Sequence, residues 1–359
     1  MGRQVITAET DEGRRAIEDV MSASYEADIG RVPLAWARAL LVDGTPVSFI
    51  LVYPDVPLPF PRGPMRTAFV TDTATREDRR HEGHFRALME STLADLRADG
   101  VPAVKLHGEA QLYRRFGFGV YARHAALFFT AELVERRLGA GTSDGWESRI
   151  EVEDRRGVRP DLLVVNQARA QTISEARALI QTAAALARER GKRRIMVACP
   201  ASPLRGPRCP FTEAPLTAMA LACGGRLVLQ GADPEGRACE HADWIKVLDT
   251  PRFVQEAVGL QEIEASQLPH ASVRFETDAG SVAIRTSAKG VEVLEAPPDA
   301  QVLTWPSTAL AQLVMGYSSA AVLAEIHHTV LREDVLRLLD ALFPRQWRLS
   351  ENDDWIFGK

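Results

Sequence analysis

The stretch that most constrains this chain is Thr71–Tyr121: a strand end, a basic turn, a glycine, a helix, a second strand and an aromatic-glycine turn, in that order. The strand leading in, Phe69–Thr75, is threonine-rich and reads as extended. A charged turn, Arg76–Glu82, ends at Gly83. After the glycine, apolar residues fall at Phe85, Leu88, Met89, Leu93 and Leu96, the spacing of one helix face. Asp99-Gly100 stops that helix, with Gly100 where left-handed backbone is tolerated. Val101–Leu106 reads as the next strand, and the loop after it ends in Leu112-Tyr113-Arg114-Arg115-Phe116-Gly117-Phe118-Gly119.

A basic turn that feeds a helix N-terminus suits a phosphorylated ligand. The first turn of a helix has backbone N–H groups without partners, and the macrodipole adds partial positive charge there. Gly83 lets backbone approach closely, and Arg79 and Arg80 bring positive charge beside it. Taken alone, one glycine among arginines is a weak motif, and a solvated turn between two elements of an α/β sheet describes it better.

The wider context changes that weighting. Arg80-His81-Glu82-Gly83 resembles the first half of Arg/Gln-x-x-Gly-x-Gly/Ala, the motif by which GNAT acyltransferases bind the pyrophosphate of coenzyme A; Phe85 stands at the second small position. The continuation Arg86-Ala87-Leu88-Met89 and the run Leu112–Gly119 are similar to the branch of enhanced intracellular survival acetyltransferases, which carries Leu/Ile-Tyr-x-Arg-Phe-Gly-Phe/Tyr-Gly. One departure is Glu82, where a basic residue is usual.

The resemblance implies an α/β (α+β) chain in three parts: a mixed-sheet catalytic GNAT domain over 1–140, a degenerate GNAT-like domain over 146–265 that does not bind CoA, and a sterol-carrier-like α+β domain over 270–359. It implies acetyl-CoA as co-substrate, no metal, and a homo-oligomer, with a hexamer among its forms. The pantetheine would pair like an extra strand beside Thr73, Ala74 and Thr75, where a backbone N–H faces the thioester carbonyl. Arg79, Arg80, His81, Gly83, His84 and Phe85 would form the pyrophosphate turn. Tyr113 matches the tyrosine that protonates the leaving thiolate; the plainer alternative is a ring that simply packs on Phe116 and Phe118. The relatives' general base is the main-chain carboxylate at the chain end, here that of Lys359. Family tails finish at or near an aromatic residue, so Phe357 fits and Gly358-Lys359 overhang; Asp353 or Asp354 acting through water is the alternative.

A chain of 359 residues exceeds one ordinary core, so two or three domains are expected. With 46% hydrophobic and 25% charged residues it has the composition of a soluble globular protein. A net charge of −5 with dispersed basic residues gives no reason to expect nucleic acid. No apolar run approaches the roughly 20 residues that span a bilayer, and Met1-Gly2-Arg3-Gln4 opens no signal region, so no membrane and a cytoplasmic location are expected. Cys199, Cys209, Cys223 and Cys239 form no CxxC; they read as structural thiols, with Cys239 and His241 short of a metal set. His327-His328 fall on a predicted helix, where neighbours point apart.

Elsewhere, the sequence predicts a helix at Glu12–Tyr25, strands at Ala37–Val42 and Val47–Tyr53 around Asp43-Gly44-Thr45, and a proline-rich loop over Pro54–Pro64. His124–Leu133 reads as the first domain's last strand, and Gly139–Gly145 as a linker. Beyond it come strands at Arg149–Val152 and Leu162–Val165, a helix at Ser174–Arg190, a strand at Arg194–Cys199, a helix at Ala214–Cys223 and strands at Arg226–Gln230 and Trp244–Leu248. No second Arg-x-x-Gly turn precedes a helix, so one acetyl-CoA site is expected. A meander over Ala271–Thr277, Ser281–Thr286 and Gly290–Glu295 is followed by helices at Thr308–Met315 and Asp334–Leu342; Leu310–Ser319 resembles the sterol-carrier-like domain. The expected activity is transfer of acetyl from CoA to a primary amine, on a small molecule or a lysine side chain. The competing expectation is a non-catalytic protein that keeps the fold and binds CoA or an apolar ligand.

Overall fold

The computed structural model describes residues 2–8, 10–22, 36–122, 125–139, 151–153, 161–167, 170, 172–198, 215–229, 241–264, 266, 268–295 and 297–345. The chain divides into two compact units, one built on Met1–Val120, Trp244–Val314 and Ser318–Pro344, the other on Tyr121–Asp243.

The first unit begins β1 (Arg3–Thr7), α1 (Asp11–Ser22), β2 (Ala37–Val42), β3 (Thr45–Phe60), β4 (Gly63–Thr75), α2 (His84–Ala98), β5 (Ala103–Glu109), α3 (Ala110–Tyr113) and β6 (Gly119–Ala122). β2 turns into β3 at Asp43-Gly44, both with positive φ, the hairpin geometry that Asp-Gly favours. The predicted loop at Pro54–Pro64 is instead the far arm of the β3–β4 hairpin, with Val56 paired to Thr67 and Leu58 to Met65. Val56, Leu58 and Phe60 are buried in alternation with exposed Pro57 and Pro59. Pairing of β2 with β3 reaches only Leu51. Beyond that point one edge of β3 lies outside the β2 ladder, where proline's missing N–H removes no bond.

α2 carries the chain from β4 to the parallel strand β5. It buries Leu88, Met89, Leu93 and Leu96 against β2, β3 and β4, each such side chain contributing about 1.5–3 kcal/mol. The face is the one its sequence spacing predicts.

The second unit comprises β7 (Ala125–Thr130), α4 (Ala131–Leu138), β8 (Glu151–Glu153), β9 (Leu162–Gln167), α5 (Ile173–Glu189), β10 (Arg194–Ala198), α6 (Pro215–Ala222) and β11 (Arg226–Leu229). Its mixed sheet has the order β11-β7-β10-β9-β8, β10 running antiparallel to β7 and parallel to β9. The strand expected to close the first domain is therefore a strand of this sheet. It ends at Thr130, whose side chain accepts from the Leu133 N–H and starts α4. α5 opens with a capping box between Thr172 and Glu175, not with a basic glycine turn, and buries Ala176, Leu179, Ile180 and Ala183 against Leu127, Phe129, Ile195 and Val197. Cys223 is buried with a free thiol; Cys199, Cys209, Cys239 and most of the Gly139–Gly145 linker lie outside the described residues.

The chain then returns to the first unit with β12 (His241–Val247), α7 (Thr250–Gly259), β13 (Ser272–Thr277), β14 (Gly280–Ser287), β15 (Gly290–Leu294), β16 (Gln301–Thr304), α8 (Ser307–Val314), α9 (Ala320–Ile326) and α10 (Glu333–Leu342). β12, expected in the second domain, enters the first sheet, whose order is β1-β2-β3-β4-β5-β12-β6. The buried Trp244 anchors it, its indole N–H donating to the Gly108 carbonyl at 2.8 Å. α7 was not expected; Asp249 caps it through the Arg252 N–H, with Pro251 in the first turn. β13, β14 and β15 form the expected meander, and β16 adds a parallel strand beside β13. α9 ends at Ile326, so His327-His328 lie past its end and not within a helix; His328 has φ 51°. Among the described residues no helix is long and apolar enough to cross a membrane.

Candidate active site

Thr73, Ala74 and Thr75 end β4. On one side they stay in the ladder: Ala74 pairs with Phe49 and Thr75 with Ser48. On the other, the parallel pairing with β5 covers only Ala68–Val70. The divergence coincides with a β-bulge, in which Asp72 and Thr73 stand opposite the single residue Ile50. Asp72 takes φ 39°, outside the usual range for a side-chain-bearing residue. Burial pushes its carboxyl above the ordinary value. The buried Ser48 hydroxyl donates to the Ala74 carbonyl at 2.8 Å and meets the Thr75 hydroxyl at 2.9 Å, holding this segment to β3. Sequence reasoning misses both Asp72 and Ser48; an aspartate inside a threonine-rich strand is the one available signal.

The turn from β4 to α2 contains two left-handed residues, His81 at φ 69° and Gly83 at φ 79°. Gly83 is the N-cap of α2, and no side chain caps the helix there. A Cβ placed on Gly83 would meet nothing within 4 Å, so the space in front of the helix start is open. The basic residues are not equivalent. Arg76 pairs with Asp19 and Asp78 at 3.4 Å each. Arg79 grips Glu82 through Nε at 3.1 Å and Nη2 at 3.0 Å. Arg80 makes a long 3.4 Å bond to the Thr75 carbonyl and enters no ion pair among the described residues. His84 is buried, only 2% exposed, with Nε2 2.9 Å from Glu82 and Nδ1 without a hydrogen-bond partner among the described residues. The Arg79 hydrogen bond, then the one from His84, hold the Glu82 carboxyl below its ordinary range. What His84 can offer a ligand at the helix start is therefore its backbone N–H.

Tyr113 ends α3 and is 7% exposed. Its ring meets Phe85 edge-on at 6.4 Å and Phe118 at 6.2 Å, while Phe116 packs on Phe85 at 5.7 Å. Phe85, in the first turn of α2, thus ties the open helix start to Tyr113, which accounts for a bulky residue at a position where the motif has a small one. The packing expected of Tyr113 on Phe118 occurs, and Phe85 adds a further ring contact. Gly108 makes room for the ring, since a Cβ there would sit 2.5 Å from it. A cavity of about 720 Å³ opens beside this group, lined among others by Arg114, Phe118, Trp244, Glu276, Asp278 and Trp305. The Asp278 carboxylate accepts from the Ser307 N–H at 2.7 Å and from its hydroxyl at 3.1 Å. Lys359, Asp353, Asp354 and the aromatic tail lie outside the described residues.

The structure thus brings the β4 end, the turn and Tyr113 into one region of the first unit, and shows Arg79 and His84 engaged by Glu82. Residues 37–121 match the family model described as an acetyltransferase (GNAT) domain. No curated protein sequence matches the chain. Among solved structures, Eis1 from Mycobacterium abscessus is similar over 98% of this chain and 99% of that one, with a TM-score of 0.61 at 15% identity. A GCN5-related N-acetyltransferase from Anabaena variabilis gives 0.62 at 11% identity over 95% and 97%. A probable N-acyltransferase of unknown function from Enterococcus faecalis gives 0.61 at 12% identity over 98% of each chain. At such identities the likeness is one of fold, and it extends over nearly the whole length. Residues 37–121 are a GNAT acetyltransferase domain, set in a chain whose mixed α/β fold is that of Eis1 and the GCN5-related N-acetyltransferases.

Proposed function

We propose that the protein is an acetyl-CoA-dependent N-acetyltransferase that moves the acetyl group directly to a primary amine. One juxtaposition carries this reading: an open, uncapped helix start and a buried tyrosine are joined through Phe85, beside a strand end that has parted from its parallel neighbour. Acetyl-CoA would supply the thioester. The start of α2, with Arg80, His81 and Gly83, would hold the pyrophosphate by N–H groups and charge. The edge of Thr73–Thr75 would orient the pantetheine and polarise the carbonyl. As the amine nitrogen bonds to the carbonyl carbon and the C–S bond breaks, Tyr113 would give its phenolic proton to the thiolate sulfur, and a base, which the family resemblance assigns to a chain-terminal carboxylate, would take the proton of the amine. The cavity beside Phe118 is large enough for an acceptor, and Arg114, Glu276 and Asp278 supply charged groups to its lining.

A second reading, a non-catalytic CoA-binding protein, draws support from the Arg79–Glu82 pair, which neutralises one of the expected cations. Two measurements separate them. A saturating ligand that binds only the folded state should raise the melting temperature, about 2.7 kcal/mol of stabilisation at a hundred times Kd, and a panel of primary amines should release CoA thiol. A melting shift with no thiol release from any amine would leave the binding protein. Deleting Asp354–Lys359 is expected to abolish turnover and keep the melting shift; deleting Gly358-Lys359 alone moves the carboxylate to Phe357, and turnover at or above the parent's would make the overhang incidental. Full turnover in the longer deletion would assign the base to another group.

A further inference from the structure

The chain carries its own anion at the site proposed for the pyrophosphate. Glu82 directly precedes the N-cap Gly83 and is exposed. Its carboxylate is bound side-on by Arg79, with Nε 3.1 and 3.3 Å from its two oxygens and Nη2 at 3.0 Å. His84 Nε2 completes the set at 2.9 Å, and the Arg3 guanidinium donates to the Glu82 backbone carbonyl at 3.2 Å. With Nε2 on a carboxylate, the imidazole of His84 is satisfied on that side only; Nδ1 is buried without a partner among the described residues. Arg79, Glu82 and His84 therefore form a closed set in which one of the two expected phosphate-binding cations is already neutralised.

Resting on the reading of the site as a CoA site, we propose that Glu82 sets the affinity for the cofactor by competing with the pyrophosphate for Arg79 and for the field at the start of α2. Two anions cannot share that place without repulsion, and the Arg79 fork that would face a phosphate is turned onto a carboxylate. Arg80, which enters no ion pair among the described residues, is then the cation that meets the pyrophosphate first, and Arg79 joins only as Glu82 is displaced. The consequence is a site tuned to a high concentration of acetyl-CoA, with fast release of CoA after transfer.

The test compares the full-length protein with Glu82→Gln by calorimetry, using acetyl-CoA and, separately, S-acetylpantetheine, which lacks the pyrophosphate. Glutamine keeps the shape and one acceptor for His84 but loses the charge, and the side chain is exposed, so the fold is retained; a melting curve checks this. Glu82→Gln is expected to bind acetyl-CoA roughly 2–5-fold more tightly, the size of an exposed charge effect, with S-acetylpantetheine unchanged. Equal or weaker acetyl-CoA binding in the folded variant would overturn the proposal and make Glu82 a residue that positions Arg79. A gain of the same size for S-acetylpantetheine would overturn it too, since the effect would not lie at the pyrophosphate. Should neither protein bind acetyl-CoA at all, the reading of the site itself falls and the proposal with it.

Discussion

Tyr113→Phe is expected to leave acetyl-CoA affinity in place and to lower turnover by roughly 10²–10⁴-fold, the usual contribution of a positioned proton donor. The substitution removes one oxygen and keeps the ring, so the edge-on contacts with Phe85 and Phe118 survive, as does the close approach over Gly108. The start of α2 is then undisturbed, because Phe85 still has its partner. Steady-state rates with a responsive amine, and the acetyl-CoA melting shift measured on the same sample, check both halves. Near-normal turnover would mean that water or another group protonates the thiolate, and that Tyr113 is there for its ring. A loss of cofactor binding would place the phenol in the binding site instead.

The region around Tyr113 was readable in the sequence because its signals are local. The apolar stripe of α2 lies within a dozen residues and needs no partner to be seen. The same is true of the Asp43-Gly44 turn and of the α5 stripe. The errors arose where pairing is decided far along the chain. Nothing within Trp244–Val247 says that it lies beside β5; the bond that anchors it joins Trp244 to Gly108, 136 residues apart. The hairpin arm at Pro54–Pro64 failed for a different reason. Its prolines counted against a strand, although Val56, Leu58 and Phe60 already alternated, and proline is tolerated at an edge.

The chemistry of the turn was half legible. Arg79 and Glu82 are three residues apart, but which cation a carboxylate takes depends on the backbone of the turn, and two left-handed residues, His81 and Gly83, set it. Reading Arg79 and Arg80 as a matched pair therefore missed that one is engaged by a carboxylate and the other is not. The splay of β4 from β5 had no local signature beyond Asp72. A bulge is a mismatch between two strands, and it appears only when both are in register.

Gly83→Asp is expected to abolish measurable acetyl-CoA binding, by roughly 10³-fold, since a unit charge about 4 Å from the ligand's nearest charge acts with about 4 kcal/mol at an effective dielectric of 20. The fold should survive it. At φ 79° a side chain is strained, yet aspartate and asparagine are the residues that visit this region most readily, at a cost of roughly 1–2 kcal/mol. No atom lies within 4 Å of the added Cβ, so there is no overlap to relieve. The new carboxylate would project into the open space before α2, beside Glu82, where a pyrophosphate needs the partial positive charge of the first turn. Gly83→Asn separates the causes: it has the same shape and the same backbone tolerance without the charge, and should keep a measurable share of the affinity. Calorimetry on both variants, with circular dichroism as the check on folding, decides the matter. If folded Gly83→Asp binds acetyl-CoA as the parent does, the start of α2 is not where the cofactor's phosphates go. If the asparagine variant fails equally, the requirement at residue 83 is for backbone freedom, and the electrostatic account of the site is wrong.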